Sequence, residues 1–250
     1  MLQVESLDKS FGGLKAVSHF SFHLRKGEIV SIIGPNGAGK TTAFNLLTGF
    51  YLPDNGYIRF QGQDMVGLKP HAIAAAGISR TFQNIRLFNH MTVLDNIRLA
   101  FNLKKKYTMW DTLVRSKRFL EQEEHITAKS FYLLEAFDIK KEQYKLAKEL
   151  PYGLQRRVEI ARAIATDAQL LLLDEPAAGM NHAETNELMD LIRWLRKEFP
   201  ITILLIEHQM KMIMEISERI IVLNFGEKIA EGTPGEIRNN MKVIEAYLGE

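Results

Sequence analysis

The sequence predicts an α/β fold in which helices cover a mostly parallel sheet, with an antiparallel β subdomain at the N-terminus and a helical subdomain inserted mid-chain. Three observations carry that reading. Residues 170–173 and 201–206 are apolar runs without alternation, as expected of strands buried on both faces. Residues 29–33 are a largely β-branched run that leads through a glycine-rich loop into a helical stretch. Residues 95–148 are highly charged, almost free of Gly and Pro, and bring Leu133, Leu134 and Phe137 to helical spacing.

Taken in chain order, residues 2–4, 19–24 and 56–60 mix apolar and polar side chains between turn signals, which predicts strands of a partly exposed antiparallel sheet. The helix after the glycine-rich loop spans residues 40–48 and is stopped by Gly49 as its C-terminal cap. Thr92 and Asp95 are spaced to cap the start of the helical insertion. Asn181 and Glu184 give the same signal for a helix whose apolar face is Leu188, Leu191, Ile192, Leu195 and Phe199, and Pro200 ends it. Residues 220–223 and 228–230 flank Phe225-Gly226 as a late hairpin, and residues 234–248 read as a helical tail.

Composition narrows the function classes. At 250 residues, with 46% apolar and 25% charged, the chain has the usage of one elaborated globular α/β domain. Its net charge of +2 is too mild to be the electrostatic footprint of a nucleic-acid partner. The absence of cysteine excludes disulfides and thiolate metal sites. The N-terminus lacks a basic head followed by an apolar stretch, and no apolar run is long enough to cross a bilayer, so a soluble, cytoplasmic protein is expected.

The sharpest local signal is Gly34-Pro35-Asn36-Gly37-Ala38-Gly39-Lys40-Thr41, which fits G-x-x-x-x-G-K-[ST] between a predicted strand and a predicted helix. Glycines let backbone N–H groups turn inward, where they and the helix N-terminus hold phosphate oxygens. Asn36, Gly37, Ala38, Gly39, Lys40, Thr41 and Thr42 are therefore the expected phosphate contacts. Lys40 is placed to neutralise the β and γ phosphates, and Thr41 to ligate Mg²⁺, a hard cation that prefers oxygen. The second signal is Asp174-Glu175 at the carboxyl end of a buried strand, where α/β sheets bind ligands. Asp174 is expected to hold the magnesium through water, and Glu175 to orient and deprotonate the attacking water. Alone, two acids at a strand end read equally well as a solvated pair; beside the phosphate loop they specify a nucleoside triphosphatase.

Five features in this order resemble the ATP-binding subunit of an ABC transporter: Phe11, the phosphate loop, Gln83, residues 150–155, and Asp174-Glu175 with His208. The resemblance covers nearly the whole chain and implies one ABC ATPase domain over residues 1–250. Within it, residues 1–93 and 155–250 form the P-loop NTPase catalytic core, and residues 94–154 a helical subdomain with the signature segment. It further implies that Phe11, with Val17 beside it, contacts adenine, although Phe11 taken alone reads as a packed core residue. Gln83 would touch magnesium and water, His208 the γ phosphate, and Gly153 a nucleotide held by a second subunit.

The signature departs from the family's Leu-Ser-Gly-Gly-Gln and reads Leu150-Pro151-Tyr152-Gly153-Leu154. Proline at the serine position has neither hydroxyl nor backbone N–H, so donors toward a partner's γ phosphate are missing, at about 1–3 kcal/mol each. The expectation is a weakened face and two unequal composite sites. Asn181 stands where the family commonly has an aspartate in its dimer-contact loop, and also suits a helix N-cap.

Phe11-Gly12-Gly13-Leu14-Lys15-Ala16-Val17, the segment from Ser79 to Phe88, Asp174-Glu175-Pro176-Ala177-Ala178-Gly179 and the tail from Ile237 to Gly249 together resemble the branched-chain amino-acid importers. That resemblance implies transmembrane permease subunits, a second ABC ATPase in a homodimer or heterodimer, an indirect solute-binding protein, and a peripheral place on the inner face of the cell membrane. Urea or short-amide importers and lipopolysaccharide exporters are near relatives, and cargo is not encoded in an ATPase chain. Leu87, Phe88 and Met91 are candidate contacts for a permease coupling helix, or else internal packing. Lys104-Lys105-Lys106 reads as a solvated loop rather than a lipid contact. A soluble ABC ATPase acting on ribosomes or DNA would carry two cassettes or a long coiled coil, and a small-molecule kinase would lack the signature flank, Gln83 and His208.

Overall fold

The computed structural model describes residues 1–104 and 107–248. Lys105, Lys106 and Gly249 of the segments quoted above lie outside the described residues. The chain divides into two compact units, residues 1–83 with 169–250, and residues 84–168.

The first unit contains both sheets. β1 (Leu2–Phe11), β2 (Leu14–Leu24), β4 (Asn55–Phe60) and β5 (Gln63–Asp64) form an antiparallel sheet in the order β2-β1-β4-β5. Its strands are longer than their apolar cores suggest, because register shifts along β1 let both partners stay paired through irregular stretches. The second sheet orders β10-β9-β3-β8-β7-β6, from β3 (Ile29–Ile33), β6 (Ile78–Arg80), β7 (Leu170–Asp174), β8 (Thr202–Ile206), β9 (Arg219–Asn224) and β10 (Glu227–Gly232). All neighbours in it are parallel except the edge pair β9–β10. Every residue of β3, β7 and β8 is buried, which is why those runs show no polar alternation.

Helices α1 (Lys40–Leu47), α2 (Pro70–Ala76), α7 (His182–Glu198), α8 (Met210–Ile216), α9 (Pro234–Arg238) and α10 (Met241–Leu248) complete this unit. The N-cap of α7 is a full capping box: Ala183 and Glu184 N–H donate to Asn181 Oδ1, and Asn181 N–H donates to Glu184. Its end differs from the sequence expectation. Phe199 is the extended C-cap, at φ −118° and ψ 146°, because the residue before a proline is driven out of helical geometry. Its ring then sits edge-on to Trp194 at 5.6 Å instead of continuing the helix face. The tail is two helices rather than one, separated by Asn239-Asn240. The β9–β10 hairpin turns on Phe225 and Gly226, whose φ values of 46° and 81° are those a two-residue type I′ turn demands.

The second unit is helical: α3 (Val93–Ala100), α4 (Met109–Leu113), α5 (Lys117–Ala136) and α6 (Tyr152–Ala165), with short 3₁₀ turns between. Thr92 Oγ1 accepts from Asp95 N–H at the start of α3. Leu133, Leu134 and Phe137 are buried, and a fully buried Arg156–Glu159 pair at 2.6 Å ties two turns of α6. Strand β6 was not expected, since Ile78-Ser79-Arg80 is too short to show a period.

Candidate functional site

Parallel neighbours end on the same edge, so the loops after β3, β6, β7 and β8 all emerge at one carboxyl edge of the sheet. The loop after β3 is the phosphate-loop motif. Gly34, Gly37 and Gly39 hold φ values of 151°, 77° and 99°, a region closed to most side chains. At two of them space is also absent: a Cβ on Gly34 would lie 2.0 Å from the Leu223 carbonyl oxygen, and one on Gly39 2.3 Å from that of Ala16. The loop is thus pressed against β9 and β2, and Gly226 N–H donates to the Ala38 carbonyl.

Phe11, Leu14, Lys15, Ala16, Asn36, Gly37, Ala38, Gly39, Lys40, Thr41, Thr42, Glu175 and Phe225 line a cavity of about 380 Å³, a size suited to a small ligand. Lys40 is 9% exposed, and its ammonium donates to the Gly34 and Pro35 carbonyls at 2.6 and 2.7 Å. A buried cation is therefore held by the loop's carbonyls at the N-terminus of α1, a place suited to an anion. Phe11 is 42% exposed and lines the cavity, its ring edge-on to Tyr51 at 5.1 Å, so the packed-core reading of it is corrected. Val17 is likewise corrected: its side chain is fully buried in the core, and the preceding residues Lys15 and Ala16 line the cavity instead.

Glu175 follows β7 in a left-handed conformation, φ 45°, a strained state for a residue with a Cβ. Its N–H donates to Ile206 of the neighbouring strand, which helps to hold that turn. Gln83 Nε2 donates to Glu175 Oε2 at 2.7 Å, and His208 Nδ1 stands 3.8 Å from the same oxygen. Two residues far apart in sequence therefore converge on the Glu175 carboxylate at the cavity wall. Asp174 has a different environment: its Oδ2 accepts from Arg80 at 2.7 Å, with both side chains nearly buried.

Two participants escaped the sequence reading. Arg80 also donates to Asn45 of α1 and to Thr48 at its C-cap, and lies against the rings of Phe44, Phe50 and Phe82, so one guanidinium joins the helix behind the phosphate loop to Asp174. Glu207, 1% exposed, accepts from the N–H groups of Ala177, His208 and Gln209, and Gln209 returns a bond to the Ala177 carbonyl. That clasp joins the turn after Glu175 to the turn bearing His208. An acid next to His208 at a strand end was the available signal for it.

In the second unit, Pro151 is the N-cap of α6 without a side-chain cap, and Gly153 sits in the first turn with open space where a Cβ would go. Tyr152 accepts at its hydroxyl from Arg156 at 3.0 Å. Phe88 is 53% exposed beneath the Arg162 guanidinium, and Met91 lines a groove of about 190 Å³ with Asp95, Arg98, Leu99, Asn102, Glu123 and Ile126. Leu87 is half-buried.

The residues fit a nucleotide with a magnesium ion: a loop so close to β9 and β2 that only glycine is tolerated at positions 34 and 39, a buried cation beside it, and hard oxygen donors in Thr41 and Asp174. Among the described residues no group of three or more His, Asp or Glu is placed to hold a metal ion. Residues 17–178 match the model of the ABC transporter family, and residues 227–250 that of the branched-chain amino acid ATP-binding cassette transporter. The chain is 48% identical over its whole length to the high-affinity branched-chain amino acid transport ATP-binding protein LivG of Salmonella typhimurium, covering 98% of it. It is 46% identical, with the same coverage, to BraF of Pseudomonas aeruginosa, described in the same words. Among solved structures it resembles an ATP-binding cassette of an ABC transporter in its ADP conformation, with TM-score 0.85, 32% identity and coverage of 100% and 99% of the two chains. A nucleotide-free cassette from an ABC transporter gives TM-score 0.84 at 33% identity with the same coverage.

Proposed function

Because the chain belongs to the ABC transporter family as an ATP-hydrolysing subunit, we propose that it energises import of branched-chain amino acids through partner membrane subunits. The observation that carries the mechanism is the convergence of Gln83, Glu175 and His208 beside the phosphate cradle. Lys40 waits on two carbonyls and exchanges them for the β and γ phosphates. Phe11, exposed at the cavity wall, supplies a ring face for adenine. Thr41, Gln83 and Asp174 are the residues that would hold magnesium, which neutralises charge on the phosphates. Glu175 accepts the proton of the attacking water, Gln83 keeps that carboxylate in place, and His208 faces the γ phosphate.

Two ATPase subunits enclose the nucleotides, each offering residues 150–155 to the other's cradle, and Pro151 makes that offer poorer in donors. A non-identical second ATPase with an intact signature balances the loss. The groove with Met91 and the exposed Phe88 receives a permease helix, an external solute-binding protein supplies the cargo, and the chain sits on the inner face of the membrane. The test is ATP-driven uptake of labelled leucine by the purified membrane complex in vesicles. Uptake that vanishes with Lys40→Ala supports the reading; equal uptake with that variant, or ATP-driven uptake of urea but no branched-chain amino acid, overturns it.

A further inference from the structure

Helix α4 is well made and yet buries none of its own residues. Thr108 and Asp111 form a capping box at its start, Ser116 Oγ donates to Asp111 Oδ1 at 2.8 Å, and Val114 N–H closes its end on the Trp110 carbonyl. Tyr107 anchors its base, with its hydroxyl on Glu123 and its ring edge-on to Phe119 at 5.1 Å. None of its residues is buried. Met109, Trp110, Leu113 and Val114 are 89%, 74%, 74% and 67% exposed, so almost every large side chain of the helix and its cap is apolar and in solvent. A cluster of that kind on a fixed support marks an interaction surface.

The flanking charges say which surface. Arg115, Lys117 and Arg118 follow the helix directly and are exposed. Asp111, the acid among them, is engaged on both oxygens by the cap. Glu121, one turn on, faces Lys117 at 3.7 Å with both side chains largely in solvent. Apolar side chains that include a tryptophan, bordered by cations, match the boundary of an anionic bilayer, where the ring lies at headgroup depth and the cations meet phosphate. We infer that α4 with Arg115, Lys117 and Arg118 is a lipid-contacting foot that docks on anionic phospholipid headgroups. The inference rests on the proposed function for the nearness of a membrane.

The test uses the full chain with vesicles of phosphatidylcholine alone or with phosphatidylglycerol. Trp194 is the chain's second tryptophan, so the Trp194→Phe variant leaves Trp110 as the only reporter. Its emission is expected to shift to the blue on anionic vesicles only. Arg115→Gln, Lys117→Gln and Arg118→Gln together should weaken binding about a hundredfold, at roughly fivefold for each cation near the surface. Trp110→Ser with Leu113→Ser should remove the shift and most of the binding while Mg-ATP affinity stays unchanged. No vesicle binding, equal binding to neutral vesicles, or unchanged binding in either variant overturns the inference. So does a concentration-dependent dimer that Trp110→Ser with Leu113→Ser abolishes, since a second copy is then the occupant. Mg-ATP affinity of the unmodified chain, measured on the same sample, separates the two claims: normal nucleotide binding without vesicle binding removes only the foot, and the reverse removes only the nucleotide reading.

Discussion

The glycine-rich loop before α1 and the segment before α6 both lead into helix N-termini, yet they are built to opposite tolerances. At the start of α1 the loop is locked: Gly34 and Gly39 hold left-handed φ values and have carbonyl oxygens at 2.0 and 2.3 Å from where a Cβ would stand. At the start of α6, Pro151 offers no N–H and no hydroxyl, and Gly153 faces open space. The difference teaches that glycine in a phosphate motif has two uses. In the cradle it is a steric necessity set by neighbours from β2 and β9; at Gly153 no neighbour demands it.

Four measurements break or sharpen that comparison. The largest effect is expected on the cradle side, where Glu175→Gln keeps Mg-ATP affinity, lowers turnover by about 10²–10⁴-fold, and traps a dimer visible by size exclusion. Full turnover in that variant removes the assignment of Glu175 as base. Gly39→Ala comes next: the left-handed φ alone costs about 1–3 kcal/mol, and binding of a fluorescent ATP analogue is expected to fall by more than about tenfold. Pro151→Ser tests the other helix. Restoring the hydroxyl and the N–H is expected to raise ATPase activity of the chain's own dimer by about fivefold, equivalent to one net hydrogen bond of about 1 kcal/mol. No change at saturating ATP would mean that the missing donors are immaterial. Gly153→Ala is the smallest, with no clash and a gain of up to about 1 kcal/mol in helix stability by thermal melting. A loss of stability as large as that of Gly39→Ala would end the contrast.

Much of the scaffold was legible in residues. The unbroken runs that became β3, β7 and β8, the Asn181–Glu184 box and the Phe225-Gly226 turn are local signals, each decided within a few positions. The capping box of α7 is an example: it needs only the side chains at N-cap and N3. What escaped is long-range. Arg80 precedes Asp174 by 94 positions, and nothing near either one announces that β6 and β7 are neighbours that let them pair at 2.7 Å. Glu207 reads as an acid at a strand end until the turn after Glu175 is laid over it. Val17, expected beside Phe11 at the nucleotide, is buried in the core for the same reason, since strand patterns do not say which face of β2 borders the cavity.

The sequence by itself determined the phosphate loop and the acid pair after β7, because each depends on spacing along one stretch of chain: glycines at fixed offsets, acids after an apolar run. The helical insertion, expected over residues 94–154, runs over 84–168 and takes in α6. Only the tertiary structure decided that Gln83 and His208 meet at Glu175, that Arg80 holds Asp174, and that the apolar side chains of α4 find no cover in their own unit. Those outcomes depend on strand order and on which surfaces remain unburied, and both are set by packing between segments that no local pattern connects.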